Sequence, residues 1–151
     1  MLSDADIAPI GTPVAPGATV GKPSASGAVT PEVITRDGIA TSRCRWDMPG
    51  GAYLEAELYL LSGYASPQDY AKQSLAHWAD VGKAASQAVP GIGDFAGLVV
   101  PAQHNTQTVA IFLAQKDTVA ISVYFSGPAD ATWPTAPQLQ ALGTAAAARV
   151  Y

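Results

Sequence analysis

Charge, cysteine and long hydrophobic runs are all scarce in this chain. Only 13% of its 151 residues are Asp, Glu, Lys or Arg, about half the usual share for a soluble protein. The surface must therefore stay wet largely through Thr, Ser, Gln, Gly and Ala. What charge there is leans acidic, with a formal net charge of −4. Such a chain repels phosphate backbones, which excludes nucleic acid as an expected partner and argues against anionic membrane surfaces. No apolar run reaches the ~18 residues a membrane-spanning helix needs, so no transmembrane segment is expected. Cys44 is the single cysteine, so the sequence contains no partner for an intrachain disulfide. One thiol fixes no redox compartment. Gly-x-Ser-x-Gly, phosphate-loop, calcium-loop and His-Glu-x-x-His patterns are missing as well, and no cofactor is expected.

What is present is enough apolar residue, 48% of the chain, to fill one core. The expectation is a single α+β domain over 1–151, an antiparallel sheet with helices packed on one face. Ser3 is placed to cap a short first helix with Asp4 and Asp6 in its first turn, and Leu2, Ile7 and Ile10 as buried contacts. Residues 12–38 are rich in Gly, Pro, Ala, Ser and Thr, and read as a flexible surface segment with one irregular strand near Pro31 to Thr35. Ile39 to Trp46 reads as a strand, ended by the turn cluster Asp47-Met48-Pro49-Gly50-Gly51.

Tyr53 to Leu61 alternates, with Leu54, Ala56, Leu58 and Leu60 on an inner face and Glu55, Glu57 and Tyr59 on an outer one. Ser66-Pro67-Gln68-Asp69 starts a helix carrying Tyr70, Ala71, Leu75, Trp78 and Ala79, which Gly82 closes. The stretch Ala84 to Ala88 has no clear assignment. Strands are expected over Phe95 to Val100, Thr108 to Ala114 and Thr118 to Ser126, the last pair joined by a reversal at Lys116-Asp117. A final helix runs from about Pro137 to Tyr151, burying Leu139, Leu142, Ala146 and Val150. Tyr59-Leu60-Leu61-Ser62-Gly63 resembles Val123-Tyr124-Phe125-Ser126-Gly127, a hint of a duplicated helix–hairpin unit.

Few residues invite chemistry. Cys44 lies between Arg43 and Arg45, but strand alternation turns both guanidiniums away from the sulfur and sets it beside Trp46. His77, beside Trp78, and His104, in a polar loop, read as solvated side chains without metal-ligand spacing, and no metal is expected. Glu55 and Glu57 are neighbours along one strand instead of flanking a cleft, so they read as the solvated outer face of the sheet. Gly91-Ile92-Gly93-Asp94-Phe95-Ala96 fits a loose dinucleotide fingerprint, yet it follows a helix and opens a strand, the reverse of what pyrophosphate binding needs. Its expected role is structural: a Pro90-Gly91 turn, with Gly93 at an unusual backbone angle and Asp94 accepting turn hydrogen bonds. Tyr53, Tyr59, Tyr64, Tyr124 and Trp133 are the candidates for lining a groove that takes a small ligand or peptide.

Three stretches together carry a resemblance. Leu2-Ser3-Asp4-Ala5-Asp6-Ile7, Cys44-Arg45-Trp46 and Val89-Pro90-Gly91-Ile92-Gly93-Asp94-Phe95-Ala96 resemble, in this order, actinobacterial secreted lipoproteins with no established enzymatic activity. The resemblance implies an extracytoplasmic, cell-envelope domain tethered by a lipid, with its targeting and lipidation segment upstream of Met1. It also implies a bridge between the Cys-Arg-Trp cysteine and one just before the first helix, a partner this sequence lacks. The leading functional expectation is a non-catalytic binding or interaction module for a small molecule, peptide or envelope protein. Its rivals are a small enzyme with a loop-assembled site, such as His104 with Asp94 or Asp117, and a protein-inhibitor or interaction domain.

Overall fold

The computed structural model describes residues 2–14, 18–19, 34–36 and 39–151. The expected flexible segment at 12–38 therefore lies largely outside the described residues. Within it, Ala18–Thr19 (β1) and Ile34–Arg36 (β2) are strands, the second overlapping the irregular strand expected there.

A four-residue helix, Asp4–Ile7 (α1), opens the fold. The Ser3 N–H donates to the Asp6 carboxylate at 2.7 Å, so Asp6 reaches back to the helix start. Leu2, Ile7 and Ile10 are buried as expected. Ile39–Asp47 (β3) and Tyr53–Leu60 (β4) form a hairpin around Pro49–Gly51, where Gly50 takes a positive φ. Pro67–Val81 (α2) begins where Ser66 Oγ accepts the Asp69 N–H at 3.3 Å. The stretch without an assignment contains a two-residue edge strand, Gln87–Ala88 (β5). Phe95–Val99 (β6), Ala110–Lys116 (β7) and Val119–Ser126 (β8) follow, and Ala136–Ala147 (α3) ends the series.

The strands make one antiparallel sheet in the order β1-β3-β4-β8-β7-β6-β5, with β2 also on β3. With helices packed against it, the chain is an α+β fold. No helix among the described residues is long and apolar enough to cross a membrane.

The helices divide between the two faces instead of sharing one. Leu139, Leu142 and Ala146 of α3 join Ile7 of α1, Trp46, Leu54, Phe112, Val123 and Phe125 in the main core. Ala71 and Leu75 of α2 pack on Val99, Ile111 and Leu113, whose side chains leave the opposite side of the same strands. The sheet interior is apolar on both sides, and each side needs its own cover. The hairpins β3–β4 and β7–β8 do meet at β4–β8, but the helices that follow them lie on opposite faces, so the two halves are not superposable repeats.

Two further expectations change. Leu58 and Leu60 are 37% and 46% exposed, because α3 packs on β6, β7 and β8 and leaves the second half of β4 uncovered. Val150 is also exposed, since α3 ends at Ala147 and the chain turns out of helical register.

Gly143 sets how closely α3 approaches the sheet. A Cβ there would stand 2.1 Å from Phe112 Cγ, and Phe112 is wholly buried. A helix glycine normally costs ~1 kcal/mol relative to alanine; here the missing methyl is the condition for close packing. Gly143→Ala should therefore destabilise by about 1–3 kcal/mol, the cost of overpacking. Urea denaturation would register this as a lower midpoint, and Phe112→Leu in the same chain should restore part of the loss.

The chain's beginning is tied to its end. Arg149 contacts the Asp6 carboxylate at 2.8 and 3.0 Å, and Gln138 Nε2 donates to the Pro9 carbonyl at 2.7 Å. Hydrogen bonds from Ser3 and then Arg149 hold the Asp6 carboxyl near pH 2, below its ordinary 3.8. A depressed acid contributes stability above its unfolded value and loses it as pH falls through the folded one. Asp6→Asn should lower stability at pH 7 by roughly 0.2–1 kcal/mol, as for a solvent-screened pair. Thermal melts of variant and parent should converge between pH 4 and about 2.

Candidate functional site

The polar side chains converge on the face of β3, β4 and β8 beside α2. Register builds this arrangement directly. Arg45 lies opposite Glu55 and Arg43 opposite Glu57 on the β3–β4 pair. On the other side of β4, Tyr124 lies opposite Glu55 and Ser122 opposite Glu57. Two rows of polar residues thus run across three strands, next to the apolar strip that α2 covers.

This corrects the reading of Glu55 and Glu57 as a solvated face. Glu55 is 3% exposed, and the Glu57 side chain only 14%. In the sheet the two carboxylates have Arg43, Tyr124 and Ser122 as cross-strand neighbours, with Tyr59 beside Glu57. Arg43 Nη1 stands 3.6 Å from Glu55 and 3.8 Å from Glu57, ion-pair distances too long for hydrogen bonds. Glu55 Oε1 and Arg43 Nε are buried without a hydrogen-bond partner.

Tyrosines complete the cluster. The Tyr59 hydroxyl donates to Glu57 and lies 3.2 Å from Ser122 Oγ. Burial first, then the Glu57 charge, pushes the Tyr59 hydroxyl well above its usual range. Tyr124 is raised in the same way, by burial and then by the charges of Glu57 and Glu55. Tyr53 meets Tyr124 edge-on, with centroids 6.2 Å apart and planes at 80°. Arg45 does not reach across to Glu55; its guanidinium carbon sits 3.8 Å over the Tyr53 ring and its Nε is 3.1 Å from Asp47.

The five aromatic candidates are not one groove. Tyr53, Tyr59 and Tyr124 share this face. Tyr64 packs on Tyr70 with centroids 4.6 Å apart, beyond the end of β4. Trp133 belongs to the other face, edge-on to Phe125 and stacked on His104 at 4.5 Å and 9°. Arg43, Arg45 and Ser122 were not among the sequence candidates. The signal for two of them was present, since the arginines and glutamates are equidistant from the Gly50 turn and a hairpin must pair them.

Cys44 and Trp46 are both buried in the main core, with Arg43 and Arg45 on the opposite side as alternation required. His77 is exposed and contacts Trp78. His104 and the carboxylates of Asp94 and Asp117 do not meet, since they flank opposite ends of β7, a separation of about 20 Å at ~3.3 Å per residue. Among the described residues no three His, Cys, Asp or Glu side chains converge as metal ligands.

The Pro90 to Asp94 turn is a clamp. Gly91 and Gly93 have φ of +84° and +60°, and a Cβ on Gly93 would lie 2.3 Å from the Gln115 carbonyl oxygen. The Asp94 N–H donates to that carbonyl at 2.8 Å, and its carboxylate accepts the Asp117 N–H at 2.8 Å. Asp117 itself has a φ of +52°, so Asp94 braces a strained reversal. Behind the turn lies a cleft of about 390 Å³ bounded by Asp94, Lys116, Thr144, Ala148 and Tyr151. Burial and then the Asp94 charge push Tyr151 up to about 12.

Comparison with protein-family models, with curated proteins and with solved structures finds no match to this chain.

A raised tyrosine gives stability that is complete below pH 10, its unfolded value, and is lost as pH climbs toward the folded one. Tyr59, Tyr124 and Tyr151 should therefore stay protonated past pH 11 in a titration followed at 295 nm. Their ionisation should coincide with loss of the circular-dichroism signal. Tyrosinate absorbance rising to its full value with the fold intact would contradict the burial of this face.

Proposed function

We propose that this domain is a non-catalytic binding module acting outside the cytoplasmic membrane, and that the tyrosine–glutamate face of β3, β4 and β8 is its binding surface. The observation that carries the reading is the state of Glu55. A carboxylate 3% exposed, with an oxygen lacking any hydrogen bond, is expensive to bury and adds nothing that an apolar residue would not add to folding. Such a group is suited to recognition, where a ligand supplies the missing partner. Tyr53 and Tyr124 offer flat apolar contact with a polar rim, the usual make-up of a binding surface. The extracytoplasmic setting, with a lipid anchor upstream, rests on the likeness of Cys44-Arg45-Trp46 and the Val89 to Ala96 run to secreted lipoproteins, and the low content of charge agrees with it.

An NMR screen of isotope-labelled protein against small molecules and short peptides tests this. Amide shifts on binding should cluster at Tyr53, Glu55, Glu57, Tyr59 and Tyr124, and the same hits should fail with Glu55→Gln. Catalytic turnover of a substrate, abolished by changing Cys44, His77 or His104, would overturn the non-catalytic reading. Ligand shifts confined to the Asp94–Tyr151 cleft would move the binding surface elsewhere.

A further inference from the structure

We propose that the cleft between the Pro90 to Asp94 turn and the end of α3 binds a small zwitterion, an amino acid with an apolar side chain. The cleft lies on the α3 side of the sheet, so this inference does not rest on the reading of the tyrosine–glutamate face.

The cleft exists because of how two elements end. α3 stops at Ala147, and Thr144, Ala147 and Ala148 line one side of the opening that follows. The turn through Gly91, Ile92 and Gly93 lines the other. Tyr151 is fixed between them by its hydroxyl, which donates to the Ala114 carbonyl of β7 at 3.0 Å. A volume of about 390 Å³ falls at the small end of the roughly 300–1,000 Å³ range of ligand pockets. That size suits a single amino acid and excludes a long peptide.

Two opposite charges line this cleft, and neither has an ion-pair partner among the described residues. Arg43, Arg45, Lys83 and Arg149 each stand at ion-pair distance from a carboxylate, whereas Lys116 is exposed and has none. Its stem runs beside the turn, with Lys116 Cβ 3.4 Å from where a Gly93 Cβ would stand. Asp94 is held by amides alone. Its Oδ2 accepts the Asp117 N–H at 2.8 Å and lies 3.4 Å from Gln115 Nε2. Those bonds fix the carboxylate in place and leave its charge, which acts on the Tyr151 hydroxyl, without a cation. The α3 end adds to the negative side, since a helix C-terminus carries about half a negative charge and the last turn of α3 has no basic residue. An ammonium is therefore drawn to Asp94 and the helix end, and a carboxylate to Lys116. A simple cation would also meet Lys116, and a simple anion Asp94; a zwitterion satisfies both. Ile92, Ala147, Ala148 and the Tyr151 ring offer apolar contact to its side chain.

Calorimetry and amide-shift titration with L-leucine test the proposal, at about pH 6, where its amine and carboxyl are both charged. Leucinamide, N-acetyl-leucine and glycine serve as counterparts lacking the carboxylate, the ammonium and the side chain. L-Leucine should bind saturably, with shifts at Ile92, Gly93, Lys116 and Ala148, and at least about tenfold more tightly than each counterpart. Lys116→Gln should weaken L-leucine about tenfold and leave leucinamide unchanged or tighter, a split that a loss of stability would not produce. Ala148→Leu, at an exposed position, should fill the cleft and abolish binding while the thermal melt stays at the parent value. Asp94→Asn keeps an oxygen for the Asp117 N–H, and should weaken L-leucine while sparing N-acetyl-leucine; if it unfolds the chain, the other two variants decide. Leucinamide or N-acetyl-leucine binding as tightly as L-leucine would overturn the zwitterion assignment. Shifts confined to Tyr53, Glu55 and Tyr124, or no saturable shift at millimolar L-leucine with the protein folded, would overturn the cleft as a site.

Discussion

One register holds this molecule together, that of β4 between β3 and β8. It places Trp46, Leu54 and Phe125 in one row facing α1 and α3. The same register places Arg45, Glu55 and Tyr124 in the adjacent row facing the other way. A slip of one residue would exchange the two sets and bury two arginines and two glutamates where Trp46 and Phe125 now pack. The hydrophobic row thus protects the polar one. The charged side chains are aligned because their neighbours cannot afford any other alignment.

Much of this was readable from residue order. Alternation located β4, and the Ser66 to Asp69 cap located the start of α2. Gly93 and Asp94 could be read as turn residues because the sequence around them opens a strand and leaves no helix start for a phosphate. The buried glutamates were not readable in the same way. Alternation divides a strand into two faces but says nothing about what comes to cover each, and Glu55 is buried although it alternates as an outer residue. The helices escaped for a related reason. Nothing local to α2 or α3 states which side of the sheet it covers, and that choice depends on β7 being apolar on both faces. Leu58 and Leu60 mark the same limit from the other direction, since their periodicity is that of buried residues and their cover is absent.

The two short sequence motifs perform different physical tasks. In Cys44-Arg45-Trp46 the outer residues fill the core, while the middle one reaches the polar face and sits on Tyr53. In Pro90 to Asp94, backbone geometry and a carboxylate fasten the start of β6 to the reversal between β7 and β8. The clamp secures the far side of the sheet, and β8 carries that rigidity to Tyr124. A face held on paired strands is positioned more tightly than one built on loops.

Energetics give the charged rows little part in the stability of the fold. Apolar residues at Glu55 and Glu57 would extend the strip beneath α2 and would fold at least as well, since buried ion pairs rarely exceed well-packed hydrophobic contacts in stability. The present arrangement instead places two carboxylates beside tyrosines whose own protons are held more firmly than usual. The Tyr59 hydroxyl donates to Glu57, which fixes the orientation of that carboxylate. Arg45 has two partners outside the row, Tyr53 and Asp47, which leaves Arg43 as the guanidinium at ion-pair distance from Glu55.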